Sequence, residues 1–122
     1  MQTLRKVKKP IVWTLRDMWP MTGGCHVGEA IGCSRYIVGC GKCPQLNSNL
    51  NFDLSRLVIL NKKNSIPLNI RIIGISNWLS NCARKSYLFR KLEIKLIQLL
   101  YMNLSMMKIV KLDKIGKRPG KM

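Results

Sequence analysis

The amino-acid sequence predicts an α/β fold built on a parallel β-sheet. Two runs rich in β-branched residues, Ile11–Leu15 and Asn69–Ile75, have the nearly continuous apolar character of strands buried on both faces of such a sheet. Each run is followed, further along the chain, by a segment with helical spacing of apolar residues. The resulting order of strand, helix, strand, helix is typical of a parallel sheet whose strands are joined by crossovers.

The first strand is expected to begin after Pro10, which needs no N–H at that position. Residues 1–9, which precede it, are short, basic and weakly amphipathic and predict at most the last turns of a helix. Residues 16–51, which follow it, form a loop rich in Gly and Cys. A loop of that length is expected either to have a function or to be held in place by cross-links such as a bound metal.

The first long helix is expected to begin with Asp53 as its N-cap and to end near residues 62–64. Its apolar side is predicted to contain Leu54, Leu57, Val58 and Ile59. Ser76 is expected to cap a second helix that runs to about Lys85. The inner face of this second helix is predicted to contain Trp78, Leu79, Cys82 and Ala83. A third strand is expected at residues 93–100.

The charge of the chain favours anionic partners. Its formal net charge is +17, from 22 Lys and Arg against 5 Asp and Glu. Nucleic acid, an anionic membrane surface or a phosphate-bearing substrate would each be attracted, and the sign alone does not choose among them. Many of the cations lie near the chain ends, as in Lys108–Lys121, where a solvated segment is the simpler interpretation.

The sequence also predicts a cytoplasmic location. It contains no run of about 18–20 apolar residues that would span a bilayer, and no apolar segment typical of a signal peptide near its start. Cytoplasmic thiols are reduced, so metal binding or burial is expected for the cysteines rather than disulfide formation.

Four cysteines are candidate zinc ligands. They have the spacing C-x7-C-x6-C-x2-C, and they are Cys25, Cys33, Cys40 and Cys43. Four thiolates from one loop can close a tetrahedral structural site, for which zinc is the usual metal. The spacing differs from that of paired C-x2-C knuckles, so buried or free thiols are the alternative. The neighbouring His26 is a further candidate ligand, a substrate contact or a packed residue.

Several segments together resemble a known family. They are Lys9–Leu15, Asp17–Pro20, Thr22–His26, Gly39–Leu46, Ile75–Leu79 and Ala83–Ser86. This set is similar to a block in the bacterial group 1 (family 4) glycosyltransferases, of the subgroup that builds exopolysaccharide, capsule or lipopolysaccharide. The resemblance covers roughly residues 7–97 and falls within the N-terminal domain of that family.

The resemblance implies a fragment of a GT-B enzyme, which has two Rossmann-like domains with a cleft between them. Residues 1–100 would be a partial N-terminal domain with its Cys-rich loop at 16–51. Residues 101–122 would be a basic tail that is disordered or out of frame, because the resemblance stops abruptly near Ile97. We retain as an alternative a small basic module, stapled by metal, that binds nucleic acid.

The family transfers a sugar from a nucleotide-sugar donor to a polysaccharide or lipid-linked acceptor, with retention of configuration and without a required cofactor. Its acidic E-x7-E motif has no match here, since the only glutamates are Glu29 and Glu93. The resemblance therefore implies that this chain alone is inactive. It also implies a location in the cytoplasm, at the inner face of the plasma membrane.

The resemblance also implies site residues. Arg16 stands where the family usually has a histidine, and arginine does not act as a general base near neutral pH. Asp17 matches the family and is expected either to orient groups in the cleft or to cap its own loop. The other candidate substrate-binding residues are Trp19, Thr22, Gly23 and Gly24. Trp13 and Cys82 are expected in the core.

Overall fold

The computed structural model describes residues 2–97, which form a three-stranded parallel sheet and two α-helices. The strands are β1 (Ile11–Leu15), β2 (Ile70–Gly74) and β3 (Glu93–Leu96), in the order β1-β2-β3. The helices are α1 (Leu54–Ser65), between β1 and β2, and α2 (Asn77–Lys85), between β2 and β3. The predicted α/β class and the parallel sheet are confirmed. The expectations for residues 98–122 lie outside the described residues.

β2 is the central strand of the sheet. Its Ile70 is the register partner of Ile11, and its Ile72 is the partner of Ile94 in β3. Along the β2–β3 pair, Arg71 forms an ion pair of 3.1 Å with Glu93. The two strand pairs place the carboxyl ends of all three strands at one edge of the sheet.

Both helices begin where the sequence predicts. The Asp53 side chain accepts a hydrogen bond from the backbone N–H of Arg56, and the Ser76 hydroxyl accepts one from the N–H of Leu79. Each cap satisfies a backbone donor that the first turn of a helix leaves without an intrahelical partner. Both predicted N-caps are therefore confirmed.

The prediction that the first strand is buried on both faces is wrong. Leu15 is fully buried, but Thr14 is exposed and Val12 retains 48% of its accessible surface. The side chains of a strand alternate between its two faces, and the described part of the chain covers only one face of β1.

The predicted inner faces of the two helices are partly wrong. In α1, Leu54 and Leu57 are exposed, and the buried residues are Ser55, Ile59, Lys62 and Ser65. This set follows helical spacing, but the buried face is rotated about the helix axis relative to the predicted one. The buried face includes polar side chains, such as Lys62, that bond to the preceding loop. In α2, Leu79, Cys82 and Ala83 are buried as expected, whereas Trp78 is 45% exposed.

The segment between β1 and α1 contains short 3-10 turns and neither an α-helix nor a strand. The turns are Trp19–Met21, Glu29–Ile31, Arg35–Ile37 and Pro44–Leu46. Met18, Met21 and Tyr36 of this segment join the hydrophobic core, so the segment packs against the sheet and helices. The N-terminal residues Gln2–Lys6 also form a 3-10 turn. Within residues 2–97, no helix has the length and apolar character needed to cross a membrane.

Candidate functional site

The candidate site lies just beyond the carboxyl end of β1. In open α/β sheets, ligands bind outside the carboxyl ends of the strands. The strand ends at Leu15, which is fully buried, and the exposed Arg16 and half-buried Asp17 follow it. The burial of Leu15 therefore anchors the end of the strand and fixes where Arg16 and Asp17 lie at the edge of the sheet.

Asp17 pairs with His26 across a turn. One carboxylate oxygen lies 2.8 Å from Nδ1 of the imidazole, and the other accepts a 2.9 Å hydrogen bond from the backbone N–H of Trp19. The backbone reinforces this arrangement, because Met18 N–H donates a 2.8 Å bond to the His26 carbonyl. Asp17 thus both caps its own turn and holds an imidazole.

The pair faces solvent and carries a perturbed carboxylate. The side chains of Asp17 and His26 retain 41% and 66% of their accessible surface. The hydrogen bond from His26 lowers the pKa of Asp17 below its usual range, and the Trp19 N–H acts in the same direction. A carboxylate that contacts Nδ1 leaves Nε2 available for a hydrogen bond with a hydroxyl group. His26 is exposed, so the interpretation as a residue packed under the loop is wrong.

The Trp19 side chain lies next to this pair, and its ring packs against the ammonium group of the buried Lys62. Trp19 retains 36% of its accessible surface, and the Nζ of Lys62 lies 3.7 Å from the ring centroid. The same Nζ donates to the carbonyl oxygens of Trp19, at 2.5 Å, and Thr22, at 2.9 Å. Burial lowers the pKa of Lys62 to about 8. An exposed aromatic face held in this way can stack on a sugar ring or a base.

Lys62 was not predicted as a site residue, because the sequence presents it as part of a polar helix end. One signal was present: Lys62 lies three residues after Ile59 and seven after Ser55, which is the spacing of one helix face. That face is the buried one.

Thr22 and the two glycines after it shape the turn. Thr22 is buried, and its hydroxyl donates a 2.6 Å bond to the Cys25 carbonyl and accepts one from Gly24 N–H. A Cβ on Gly23 would overlap the Ser55 carbonyl and lie 2.8 Å from the Ser55 Cα. Gly24 has a φ of +145° and open space beside it. The packing against α1 explains the glycine at position 23, whereas Gly24 is open to an approaching ligand.

The four candidate metal-ligating cysteines line one cavity of about 230 Å³. Cys40 and Cys43 are buried, Cys25 and Cys33 are half-buried, and all four are free thiols. Burial raises the pKa of the Cys40 thiol to about 11. Within residues 2–97, no three His, Cys, Asp or Glu side chains are already arranged closely enough to hold a metal ion. The thiols surround a cavity rather than a single point.

A basic groove lies at the opposite edge of the sheet, beside the segments that lead into β2 and β3. Its volume is about 730 Å³, and its cationic lining residues are Arg5, Lys63, Arg90 and Lys91. Tyr87 lies in the groove; Lys63 Nζ donates a 2.8 Å hydrogen bond to its hydroxyl and lowers its pKa. The lining residues in the described part of the chain include no Asp or Glu. The groove therefore suits an anion.

Comparison with known proteins gives a partial match. Over 38 residues the chain is 47% identical to WcaC of Escherichia coli (strain K12), which is named as a colanic acid biosynthesis glycosyl transferase. The match covers 31% of this chain and 9% of the length of that protein. No protein-family model matches the chain, and no solved structure matches it. The match relates part of this chain to a glycosyl transferase.

Proposed function

We propose that this chain is part of a retaining glycosyltransferase of the group 1 (family 4) type, and that it supplies part of a Rossmann-like N-terminal domain of a GT-B enzyme. The enzyme would transfer a sugar from a nucleotide-sugar donor to a polysaccharide or lipid-linked acceptor. The observation that carries this proposal is the exposed Asp17–His26 pair beside Trp19 at the carboxyl edge of a parallel sheet. The partial match to a glycosyl transferase supports it.

The chemistry of the edge suits a carbohydrate. Sugar rings present an apolar face that stacks on aromatic side chains, and hydroxyl groups that bind imidazole and carboxylate groups. Trp19 provides the aromatic face, and Asp17, which bonds both the Trp19 N–H and the His26 imidazole, provides the polar groups together with His26. We assign the acceptor side of the cleft to these three residues and to the open backbone at Gly24.

The donor is expected to require groups that the described residues do not supply at this edge of the sheet. A diphosphate needs several cations or backbone N–H groups, or a metal ion, to balance its charge. At the carboxyl edge the candidate cations are Arg16, which is exposed, and Lys62, whose ammonium group is already bonded to two carbonyl oxygens. We therefore expect no turnover of nucleotide sugar by the chain alone, and turnover by the purified chain would contradict this part of the proposal. The enzyme would act in the cytoplasm, at the inner face of the plasma membrane.

Acceptor binding can be tested by NMR on the full chain. We expect oligosaccharides derived from bacterial exopolysaccharide to shift the indole N–H signal of Trp19 and the imidazole signals of His26. Trp19→Ala should abolish binding, whereas Trp78→Ala should not, although Trp78 has comparable exposure at 45%. Equal effects of the two substitutions, or no shift at all, would count against the proposal.

A second candidate function is favoured by the basic groove. Arg5, Lys63, Arg90 and Lys91 line one surface, and Tyr87 provides an aromatic ring within it. Nucleic-acid phosphates bind such cations, and bases stack on such rings. An anionic membrane would be held by the same charges. Salt-dependent binding of unrelated single-stranded DNA, weakened by Lys63→Gln and Arg90→Gln but not by Lys95→Gln, would support nucleic-acid binding. Binding to anionic vesicles alone would assign the groove to the membrane.

A further inference from the structure

The strongest unassigned feature is the cavity that four thiols share. Cys25 and Cys33 belong to the first half of the segment between β1 and α1, and Cys40 and Cys43 belong to its second half. The fold has therefore brought four separate donors from 19 residues of chain to one 230 Å³ space. The fifth cysteine, Cys82, lies elsewhere, on the inner face of α2.

The backbone that carries the second pair of thiols has an unusual conformation. Four consecutive residues, Gly39–Lys42, have positive φ, including Cys40 at 57° and Lys42 at 47°. For residues other than glycine, the left-handed conformation costs about 1–2 kcal/mol each. Such a conformation persists only when surrounding contacts enforce it, and it is concentrated at functional sites.

The N-terminus of α1 supplies those contacts. Gly41 N–H donates a 3.0 Å bond to the Ser55 hydroxyl, and Cys43 N–H donates a 2.8 Å bond to the Asp53 carboxylate. On the other side, Arg35 Nε donates a 2.9 Å bond to the Gly41 carbonyl. The Cys40–Cys43 pair is thereby held on a rigid element, which is the condition for a preformed half of a metal site.

The environment suits a thiolate–metal cluster. Gly23 N–H donates to the Sγ of Cys40 at 3.2 Å, the kind of bond that stabilises a metal-bound thiolate. Four thiolates around a divalent ion carry a net charge of −2, and the Arg35 side chain lines the same cavity. The remaining requirement is inward movement of the sulfurs, because the thiols now surround the cavity. Rotation about χ1 moves the sulfurs of Cys25, Cys33 and Cys43 without moving the backbone, so that Cys40 keeps its bond from Gly23.

We propose that Cys25, Cys33, Cys40 and Cys43 together bind one Zn²⁺ as a closed tetrahedral site. All four donors are thiols, a set that zinc accepts without redox chemistry. Four protein ligands leave no open coordination position, so the ion is structural. It joins the two halves of the segment between β1 and α1, and so fixes the turn that carries Asp17, Trp19 and His26. The assignment is independent of the reaction proposed above.

The test is a titration of the reduced full chain with Co²⁺, followed by competition with Zn²⁺. We expect one equivalent of Co²⁺ to give the intense thiolate-to-metal absorption of a tetrahedral four-sulfur site, and Zn²⁺ to abolish it at one equivalent. Alkylation followed by mass spectrometry should find the four cysteines protected by Zn²⁺ and released by a chelator. Absence of the absorption, or equal alkylation of Cys25 and Cys33 with and without Zn²⁺, would overturn the proposal.

Two variants complete the test. Cys33→Ser should weaken Zn²⁺ binding at least tenfold, because it removes one of four thiolates, whereas Cys82→Ser should leave stoichiometry and affinity unchanged. If Cys33→Ser does not fold, the Co²⁺ spectrum of the unsubstituted chain alone tests whether four thiolates bind one metal ion. The alternative is that the cysteines form disulfides. The chain purified without reductant would then have a mass lower by two hydrogens per disulfide, and the reduced chain would bind no metal.

Discussion

The ammonium group of Lys62 lies 3.7 Å from the centre of the Trp19 ring and donates a 2.5 Å hydrogen bond to the carbonyl oxygen of the same residue. Lys62 retains only 4% of its accessible surface. Its long side chain therefore crosses from α1 to the turn after β1 and holds that turn by charge, by hydrogen bonds and by contact with the aromatic face. Lys62 therefore positions the candidate carbohydrate-stacking surface together with Asp17, which accepts a hydrogen bond from the Trp19 N–H.

Lys62→Met should destabilise the fold and release Trp19. The substitution removes the donor to the Thr22 carbonyl and the charged donor to the Trp19 carbonyl, which keeps a bond from Thr22 N–H, at a cost of about 1–3 kcal/mol. Chemical denaturation should show a lower free energy of unfolding, and the tryptophan emission should shift to the red. Lys63→Met is the matched control, because Lys63 is exposed and contacts Tyr87 instead. Equal effects of the two substitutions would contradict this role of Lys62.

The stability of the protein should fall as the pH rises from 9 to 11, in part because of Cys82. Burial, reinforced by the contact of its thiol with the Glu29 carboxylate, raises the pKa of Cys82 from 9.0 to about 11. In this window the unfolded chain loses the thiol proton while the folded chain keeps it, so ionisation favours unfolding. The contribution is about 2 kcal/mol over the window.

Comparison of the wild type with Cys82→Ala isolates this effect. The difference in free energy of unfolding between the two proteins should shrink between pH 8 and pH 11, because the alanine variant lacks the titrating thiol. Contributions from other groups, such as Lys62, are common to both proteins and cancel. A difference that does not depend on pH would exclude Cys82 as the source.

Gly23→Ala should be strongly destabilising, whereas Gly28→Ala should be tolerated. A Cβ on Gly23 would meet the backbone of Ser55 at the start of α1, and backbone atoms cannot rotate away. A Cβ on Gly28 would have its nearest contacts at 3.6 and 3.7 Å, which is ordinary packing. We expect a loss of about 2 kcal/mol or more for Gly23→Ala, as for other overpacked sites. Thermal unfolding of the two variants would decide, and equal midpoints would contradict the structure.

His26→Ala should raise the pKa of Asp17 toward its ordinary value, because the hydrogen bond from His26 is the main cause of its depression. A titration of the carboxyl carbon by NMR measures this directly. The pair is exposed, so its contribution to stability is small, about 0.5 kcal/mol after screening by solvent. That contribution should be present above pH 3.8 and disappear as the pH falls through the pKa of Asp17 in the folded protein. An unchanged pKa in His26→Ala would show that the two groups do not interact in solution.

The elements that the sequence predicts correctly are those fixed by local chemistry. Asp53 and Ser76 cap helices because their side chains reach a backbone N–H three residues ahead. The β-branched runs at Ile11–Leu15 and Ile70–Gly74 form strands because branched side chains fit a pleated surface. Neither feature requires knowledge of distant residues.

The features that sequence reasoning missed depend on contacts between distant parts of the chain. Lys62 meets the carbonyl of Trp19 across 43 positions, and no local pattern encodes that distance. Asp17 was singled out as a residue that orients or caps, but its pairing with His26 follows from the turn between them. Trp78 was placed in the core by its spacing, and its exposure shows that spacing cannot reveal whether anything packs on a given face.

The pairing of Ile11 with Ile70 in the sheet has a consequence for folding during synthesis on the ribosome. β1 is synthesised first, but its neighbour β2 follows only after the whole thiol-bearing segment and α1. At synthesis rates of about 5–20 residues per second, β1 spends several seconds outside the ribosome without its partner. During that interval its edge offers unpaired backbone groups to any other strand. Chaperone access and the rate of translation through residues 16–69 are therefore expected to govern how much of the protein a cell recovers in folded form.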